Sequence, residues 1–151
     1  MSEKSEVLFY ELANRTVEQT LPHLLEKTLS RGWRAVVQVG TPERLESIDQ
    51  ALWTFDEESF LPHGTPKDGF ETEQPIYLTE GQETPNGASV RFLVDGAEPA
   101  DFVSHNRLVY LYDGKDAVSK TYAKQQKDLA EQAGCNISSW RQSEEGRWEK
   151  S

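Results

Sequence analysis

The chain has 151 residues with 16 basic and 26 acidic side chains, which gives a formal net charge of −10. A field of that sign repels phosphate backbones, so we expect it to disfavour autonomous binding to naked DNA or to an anionic membrane. A single cysteine excludes an internal disulfide, and neither a signal peptide nor a membrane-spanning run is present, so we expect one cytoplasmic domain spanning residues 1–151.

The chain opens with a strand and a helix. Residues 7–12, Val-Leu-Phe-Tyr-Glu-Leu, are rich in aromatic and aliphatic groups and predict a strand. Thr16 and Gln19 have the spacing of a capping box, which predicts a helix start. Pro22 lies inside the leucine pattern of this helix, so the helix either kinks there or begins later than the box implies.

The same alternation then repeats. Residues 34–39 form a continuous apolar run that is typical of a strand covered on both faces. Thr41 before Pro42 is typical of a second helix start. Strand and helix alternating at this spacing predict an α/β fold: a Rossmann-like open, mostly parallel sheet with helices on both faces.

The second half of the chain is less regular at first. Residues 65–86 predict an irregular surface segment that carries one short strand. Strands are predicted at residues 76–78, 89–94, 107–112 and 136–140. The last helix is predicted at residues 115–133. The polar end, residues 141–151, is predicted to form either a small hairpin or a disordered tail.

A parallel sheet invites a nucleotide-binding hypothesis, which the turn after the first strand tests. Residues 11–16 contain no glycine, so the backbone there lacks the close approach to phosphate that the dinucleotide fingerprint requires. No Gly-x-x-x-x-Gly-Lys-Ser/Thr motif occurs either. We therefore expect no phosphate-binding loop, and a nucleotide-dependent enzyme remains only as the alternative hypothesis.

The side chains most often used in metal binding and catalysis are scattered. His23, His63 and His105 lie far apart in the sequence. Cys135 follows a predicted helix C-terminus, where the helix dipole disfavours a thiolate. We therefore predict no metal site, no cofactor and no catalytic site.

One candidate surface is the aromatic stretch that follows the second helix. Trp53, Phe55 and Phe60 stand close to three consecutive acids at residues 56–58. Either these rings are buried in a bend at the helix end, or they form an apolar patch with a charged rim, which is the usual composition of a protein interface.

The last helix provides a second candidate surface. Four apolar residues at helical spacing predict the side facing the sheet: Val118, Tyr122, Leu129 and Ala133. Lys120, Lys124 and Lys127 follow one another at spacings of four and three, which predicts one outward-facing basic stripe. The stripe is either an ordinary solvated helix surface or a site for an acidic peptide, because a local positive charge is unusual in so acidic a protein.

Four stretches resemble the chi subunit of bacterial DNA polymerase III. They are Leu-Trp-x-Phe-x-x-x-Ser-Phe-Leu-Pro-His-Gly at residues 52–64, the opening Val-Leu-Phe-Tyr, the Gly-Trp-Arg step around residue 33, and the terminal Asn-Ile-x-x-Trp. The resemblance implies a non-catalytic accessory subunit of a complex with DNA-directed DNA polymerase activity, acting at the bacterial replication fork and contacting DNA only indirectly.

The resemblance also implies partners. Trp53 and Phe60 match positions that dock the psi subunit of the clamp loader or a helicase-like repair protein, and Phe55 is our own addition. A third hypothesis is a scaffold that self-associates through Trp53 and Phe60.

Lys120 and Lys124 match positions that, with a neighbouring apolar pocket, bind the acidic, phenylalanine-ended tail of single-stranded DNA-binding protein. Lys127 stands where the enteric form has an aromatic residue, and Asp128 where it has a basic one. We therefore expect weaker or shifted binding of the tail that uses Tyr122.

Overall fold

The computed structural model describes residues 5–13, 15–54, 63–65, 71–102, 105–143, 145 and 147–150. Across these residues the chain forms eight strands and three α-helices. The strands are β1 (Glu6–Leu12), β2 (Ala35–Gln38), β3 (His63–Gly64), β4 (Ile76–Thr79), β5 (Val90–Leu93), β6 (Arg107–Asp113), β7 (Asn136–Gln142) and β8 (Trp148–Lys150). The helices are α1 (Val17–Ser30), α2 (Pro42–Thr54) and α3 (Ala117–Gln132), with a short 3₁₀ turn at Glu71–Glu73.

The eight strands form one sheet in the order β3-β4-β2-β5-β6-β1-β7-β8. Every pair is parallel except β7 with β8, which are antiparallel. The predicted Rossmann-like, mostly parallel α/β sheet is therefore confirmed. In the part of the chain that the structure describes, no helix is long and apolar enough to cross a membrane.

The helices cover both faces of the sheet, as predicted. On one face, Leu21 and Leu25 of α1 and Ile48 and Leu52 of α2 join one buried apolar cluster with alternate strand residues such as Leu12. On the other face, α3 contributes to a second cluster that is built around strand residues of the opposite parity. The buried members of that cluster are Val7, Phe9, Leu93, Ala97, Leu108, Tyr110, Ala123 and Ala130. The two clusters lie on opposite sides of β1 because successive side chains of a strand alternate.

The start of α1 follows the capping prediction. The Thr16 hydroxyl accepts a hydrogen bond from the backbone nitrogen of Gln19 at 3.2 Å, and the Gln19 side chain accepts one from the backbone nitrogen of Thr16 at 2.9 Å. The helix begins at Val17 and includes Pro22, which is buried. The alternative of a later start is therefore wrong.

The C-terminal end of the described chain forms a hairpin. Residues Trp140 to Gln142 of β7 pair with β8, and Gln142 lies opposite Trp148. A backbone hydrogen bond from Ser143 to the carbonyl of Arg147, 2.8 Å long, closes the connection. Of the two predictions for this end, the hairpin is confirmed.

The predicted inner side of α3 is wrong for three of its four residues, whereas Tyr122 packs against the second buried cluster, as predicted. Val118 is 77% exposed and Leu129 is 46% exposed, and Ala133 is exposed at the end of the helix. The residues of α3 that are buried are Ala123, Gln126 and Ala130. The buried side chains are small, or polar and hydrogen-bonded. The positions of the large aliphatic residues therefore do not mark the buried side of this helix.

Candidate partner-binding surfaces

The first candidate surface is the C-terminal end of α2. Trp53 lies in the last turn of the helix and is 52% exposed. Its ring centroid is 4.5 Å from that of His63, and the two planes are inclined by 52°. Phe55 and Phe60, predicted for the same surface, lie outside the described residues. Among the described residues, Trp53 therefore provides an exposed aromatic group that is supported from below by a buried imidazole.

A groove of about 370 Å³ runs along α2 from Pro42 to Gln50, which ends about one helical turn before Trp53, and it has an acidic lining. Glu43, Glu46 and Asp49 line it from α2, and Glu80 lines it from the end of β4. Asp49 also bonds the buried His63 side chain, with 2.8 Å between Oδ1 and Nε2. One carboxylate thus orients the imidazole on which Trp53 rests, and the others give the surface a negative rim.

The second candidate surface is α3. Lys120 and Lys124 are exposed, as predicted. Lys127 is half-buried, and its Nζ lies 5.3 Å from the centroid of the Phe9 ring, which is itself buried. The structure therefore brings two of the three lysines to the solvent and turns the third toward the sheet, where its ammonium interacts with an aromatic face.

Tyr122 does not lie with the lysines. Its hydroxyl donates a hydrogen bond to the carbonyl of Ala97, and its ring centroid is 6.1 Å from that of Tyr110. Burial raises the pKa of the Tyr122 hydroxyl, and the charge of Glu98 raises it further. Tyr122 faces β5 and β6, whereas Lys127 faces β1, so they flank the buried side of α3 from opposite directions.

A third feature, which the sequence did not indicate, is a cavity of about 260 Å³ beneath the C-terminal half of α1. It combines aromatic and basic side chains, and we call it the cationic aromatic pocket. Its rings are Tyr10, Trp33, Phe92, Trp140 and Trp148, and its cations are Lys27, Arg31 and Arg107. These eight residues come from six separate segments, so no local sequence motif predicts the pocket.

The rings and guanidinium groups of the pocket are in mutual contact. Tyr10 stacks on Trp140 with 6.4 Å between centroids and meets Trp148 edge-on at 4.9 Å. The guanidinium carbons of Arg31 and Arg107 lie 5.3 and 5.2 Å from the Trp33 ring centroid. Burial raises the pKa of the Tyr10 hydroxyl, an effect that the charges of Arg107 and Arg31 partly oppose.

A larger cleft, of about 760 Å³, lies at the carboxyl ends of β1 and β6, where nucleotide-binding α/β proteins hold their ligands. Arg44 lines it and forms ion pairs with Glu18 and with Asp95, the latter at 2.7 Å. Burial lowers the pKa of Arg44, but the hydrogen bonds and charges of Asp95 and Glu18 outweigh that effect, and the pKa is raised. The Arg44 guanidinium is therefore already engaged by two carboxylates.

Two further titratable side chains, those of His105 and Cys135, contact polar neighbours. His105 is buried, its Nε2 lies 3.1 Å from the Thr84 hydroxyl, and burial lowers its pKa. Burial raises the pKa of the Cys135 thiol, which donates to the carbonyl of Phe102 at 3.3 Å. Within the described ranges, no three His, Cys, Asp or Glu side chains cluster in a way that suits a metal ion.

Comparison with known proteins gives two matches. A family described as "DNA polymerase III chi subunit, HolC" matches residues 5–138. The chain is also similar to a protein named "Probable DNA polymerase III subunit chi" from Rickettsia prowazekii (strain Madrid E), with 25% identity over 103 residues. That stretch covers 68% of this chain and 62% of the relative, so the chain spans somewhat less than two thirds of the relative's length. The family match takes in α1, α2 and α3 and ends within β7.

Proposed function

The chain belongs to the DNA polymerase III chi subunit family, and from that premise we propose that it is a non-catalytic subunit that bridges two partners during DNA replication. One partner is the psi subunit of the clamp loader, with a helicase-like repair protein as an alternative occupant of the same surface. The other is the acidic C-terminal tail of single-stranded DNA-binding protein. In this bridging role the chain reaches DNA through that second partner.

The observation that carries this proposal is the placement of the two surfaces. Trp53 lies at the end of α2 on one face of the sheet, and Lys120 and Lys124 lie on α3 on the other face. Two partners on opposite faces do not compete for space, so both can be held at once. Tethering of this kind raises local concentration, and each contact can therefore be weak.

The surface around Trp53 suits a partner with an apolar side chain and basic neighbours. Half of Trp53 is available for contact, and exposed tryptophan is a frequent anchor of binding energy. The groove beside it carries Glu43, Glu46, Asp49 and Glu80. A basic rim on the partner would pair with these carboxylates and orient the docked helix or strand.

The α3 surface suits an acidic peptide. Lys120 and Lys124 are exposed one helical turn apart in a protein with a net charge of −10. Because the lysines are exposed, salt screens their attraction for the acidic peptide, with a Debye length of about 10 Å at 0.1 M ionic strength. The half-buried Lys127 and the separately placed Tyr122 contribute to the tail site only after a change of side-chain conformation, so we assign the main role to Lys120 and Lys124.

The tail site is tested with a fluorescent acidic peptide that ends in phenylalanine. We expect Lys120→Glu/Lys124→Glu to weaken its binding at least tenfold, because two attractive charges become repulsive. The matched control is Lys27→Glu/Arg31→Glu, which reverses two exposed charges at the C-terminal end of α1, on the other face. Equal affinities of the wild type and the α3 variant would remove the α3 surface from the proposal.

The Trp53 surface is tested by co-purification with a psi subunit of the same replication system. We expect Trp53→Ala to abolish co-purification while the peptide affinity at α3 stays unchanged. Val118→Ala is the control, because it truncates another exposed apolar side chain on a different helix. Retention of the psi subunit by Trp53→Ala would show that the tryptophan is not the anchor.

A further inference from the structure

The cationic aromatic pocket goes beyond the bridging role, and we propose that it binds a nucleotide of single-stranded DNA. The base would enter among the rings of Tyr10, Trp33, Trp140 and Trp148, and the adjoining phosphate would lie against Lys27 and Arg31. Grooves that bind single strands combine these two features, aromatic rings for the bases and cations for the backbone. This inference is independent of the partners proposed for α2 and α3.

The rings are already arranged for stacking. Tyr10 and Trp140 lie nearly parallel, with 14° between their planes, and Trp148 stands edge-on to Tyr10 at 76°. Arg31 and Arg107 extend the aromatic surface by lying over Trp33. A cavity of about 260 Å³ is of the size of one base with part of its sugar, not of a longer segment. Stacking is tolerant of sequence, so we expect little preference among bases.

The charges in the pocket oppose the charge of the whole molecule. Arg107 is paired with Glu6 at 3.0 Å, but Lys27 and Arg31 form no ion pair with a carboxylate of the described residues. At 0.15 M salt the Debye length is about 8 Å, so the distant acids of the molecule are largely screened from a phosphate in contact with these two cations. The net charge of −10 therefore opposes the wrapping of a long strand more than the docking of one nucleotide.

The cations of the pocket favour a charged ligand over an apolar ring alone. Lys27 and Arg31 line the pocket beside the rings. A nucleotide brings a phosphate next to its base, whereas a phenyl side chain by itself brings no charge.

The test is a titration of a short labelled oligothymidylate against the whole chain, read by polarisation and by tryptophan fluorescence in a Trp53→Phe background. That background leaves Trp33, Trp140 and Trp148, which all line the pocket, as the reporters. We expect quenching on binding and at least a tenfold loss of affinity in Lys27→Glu/Arg31→Glu. Lys120→Glu/Lys124→Glu should change the affinity less than twofold. If two phosphate contacts are made, affinity should fall about sevenfold between 50 and 200 mM salt.

Three results would overturn the inference. The first is equal affinity of the wild type and the α1 variant for the oligonucleotide, and the second is no quenching at millimolar oligonucleotide. The third is loss of acidic-peptide binding in the α1 variant with oligonucleotide binding intact, which would make the pocket a peptide site. Because the α3 variant is measured with both probes, failure of this inference is distinguishable from failure of the bridging proposal.

Discussion

The two faces of the sheet are built in different ways. α1 packs on its face through large apolar side chains such as Leu21 and Leu25, which are fully buried. α3 packs through Ala123 and Ala130 and through Gln126, which accepts a hydrogen bond of 2.7 Å from the buried Tyr110 hydroxyl. Large apolar residues therefore mark the buried side of α1, but Val118 and Leu129, the large aliphatic residues of α3, are exposed. Hydrophobic periodicity identifies the buried face of a helix only when the buried side chains are both large and apolar.

The cations at the end of α1 and those on α3 also differ in their surroundings. Lys27 and Arg31 of α1 adjoin a cavity lined by aromatic rings. Lys120 and Lys124 of α3 stand on an exposed helix surface. The first arrangement suits a ligand that carries both a flat ring and a negative charge, and the second suits a negatively charged ligand. This difference is why we assign the two surfaces to different classes of ligand.

The largest expected effect tests the packing contrast with one substitution on each helix. Leu25→Ala should lower the free energy of unfolding by about 2–5 kcal/mol, because it removes a fully buried side chain and leaves a cavity. Leu129→Ala should change it by less than about 1 kcal/mol, since Leu129 is 46% exposed. Urea denaturation measures both. Equal losses would mean that α3 does bury its large apolar residues.

A smaller effect is expected from enlarging the small residues of α3. Ala130→Leu should destabilise the protein by about 1–3 kcal/mol, because Ala130 is fully buried and a larger side chain overpacks its site. Ala133→Leu, three residues further on and exposed, should lie within about 0.5 kcal/mol of the wild type. Thermal unfolding followed by circular dichroism compares them. A neutral Ala130→Leu would contradict the close packing of α3.

The smallest effect concerns pH and the tyrosines of the α3 face. Burial raises the pKa of Tyr112 to about 12, with Glu11 adding to the shift, and burial also raises the pKa values of Tyr110 and Tyr122. A group whose pKa is raised in the folded state stabilises that state fully below its unfolded value, near 10, and the contribution is lost as pH rises toward the folded value. The free energy of unfolding should therefore fall between pH 10 and 12.

The control for this prediction compares the two faces again. Tyr112→Phe should flatten the fall, measured as the urea midpoint at pH 9.5 and 11.5. Tyr10→Phe on the α1 face should flatten it less, because Arg107 and Arg31 oppose the shift of Tyr10. Identical slopes in the wild type and Tyr112→Phe would show that the Tyr112 hydroxyl ionises as easily in the folded protein as in the unfolded one.

Most of the fold was predictable because its signals are local. The capping box at Thr16 and Gln19, the Thr41-Pro42 helix start and the apolar run before it depend on neighbours within a few residues, and each element appears where it was predicted. The hairpin at the end of the chain was one of two alternatives. Pairing of Trp140–Gln142 with β8 decides between them, and that pairing involves backbone contacts across a turn.

The candidate surfaces were predictable only in part. Trp53 is exposed, and Lys120 and Lys124 point to the solvent. Neither observation tests which partners bind at these surfaces. Lys127 was expected to lie with them, and instead its ammonium lies over Phe9, a contact between residues 118 positions apart. The spacing of residues along a helix gives the directions of their side chains relative to one another, but it does not show which side chains face the sheet.

The sequence by itself determined the alternation of strands and helices, the net charge and the absence of glycine from the first strand–helix turn. Each of these depends on composition or on neighbours along the chain. Tertiary structure decided which side of α3 is buried and the assembly of the cationic aromatic pocket from Tyr10, Trp33, Trp140 and Trp148. Residues so far apart meet only when β7 pairs with β1 and β8 closes the edge, and that long-range pairing has no local signature.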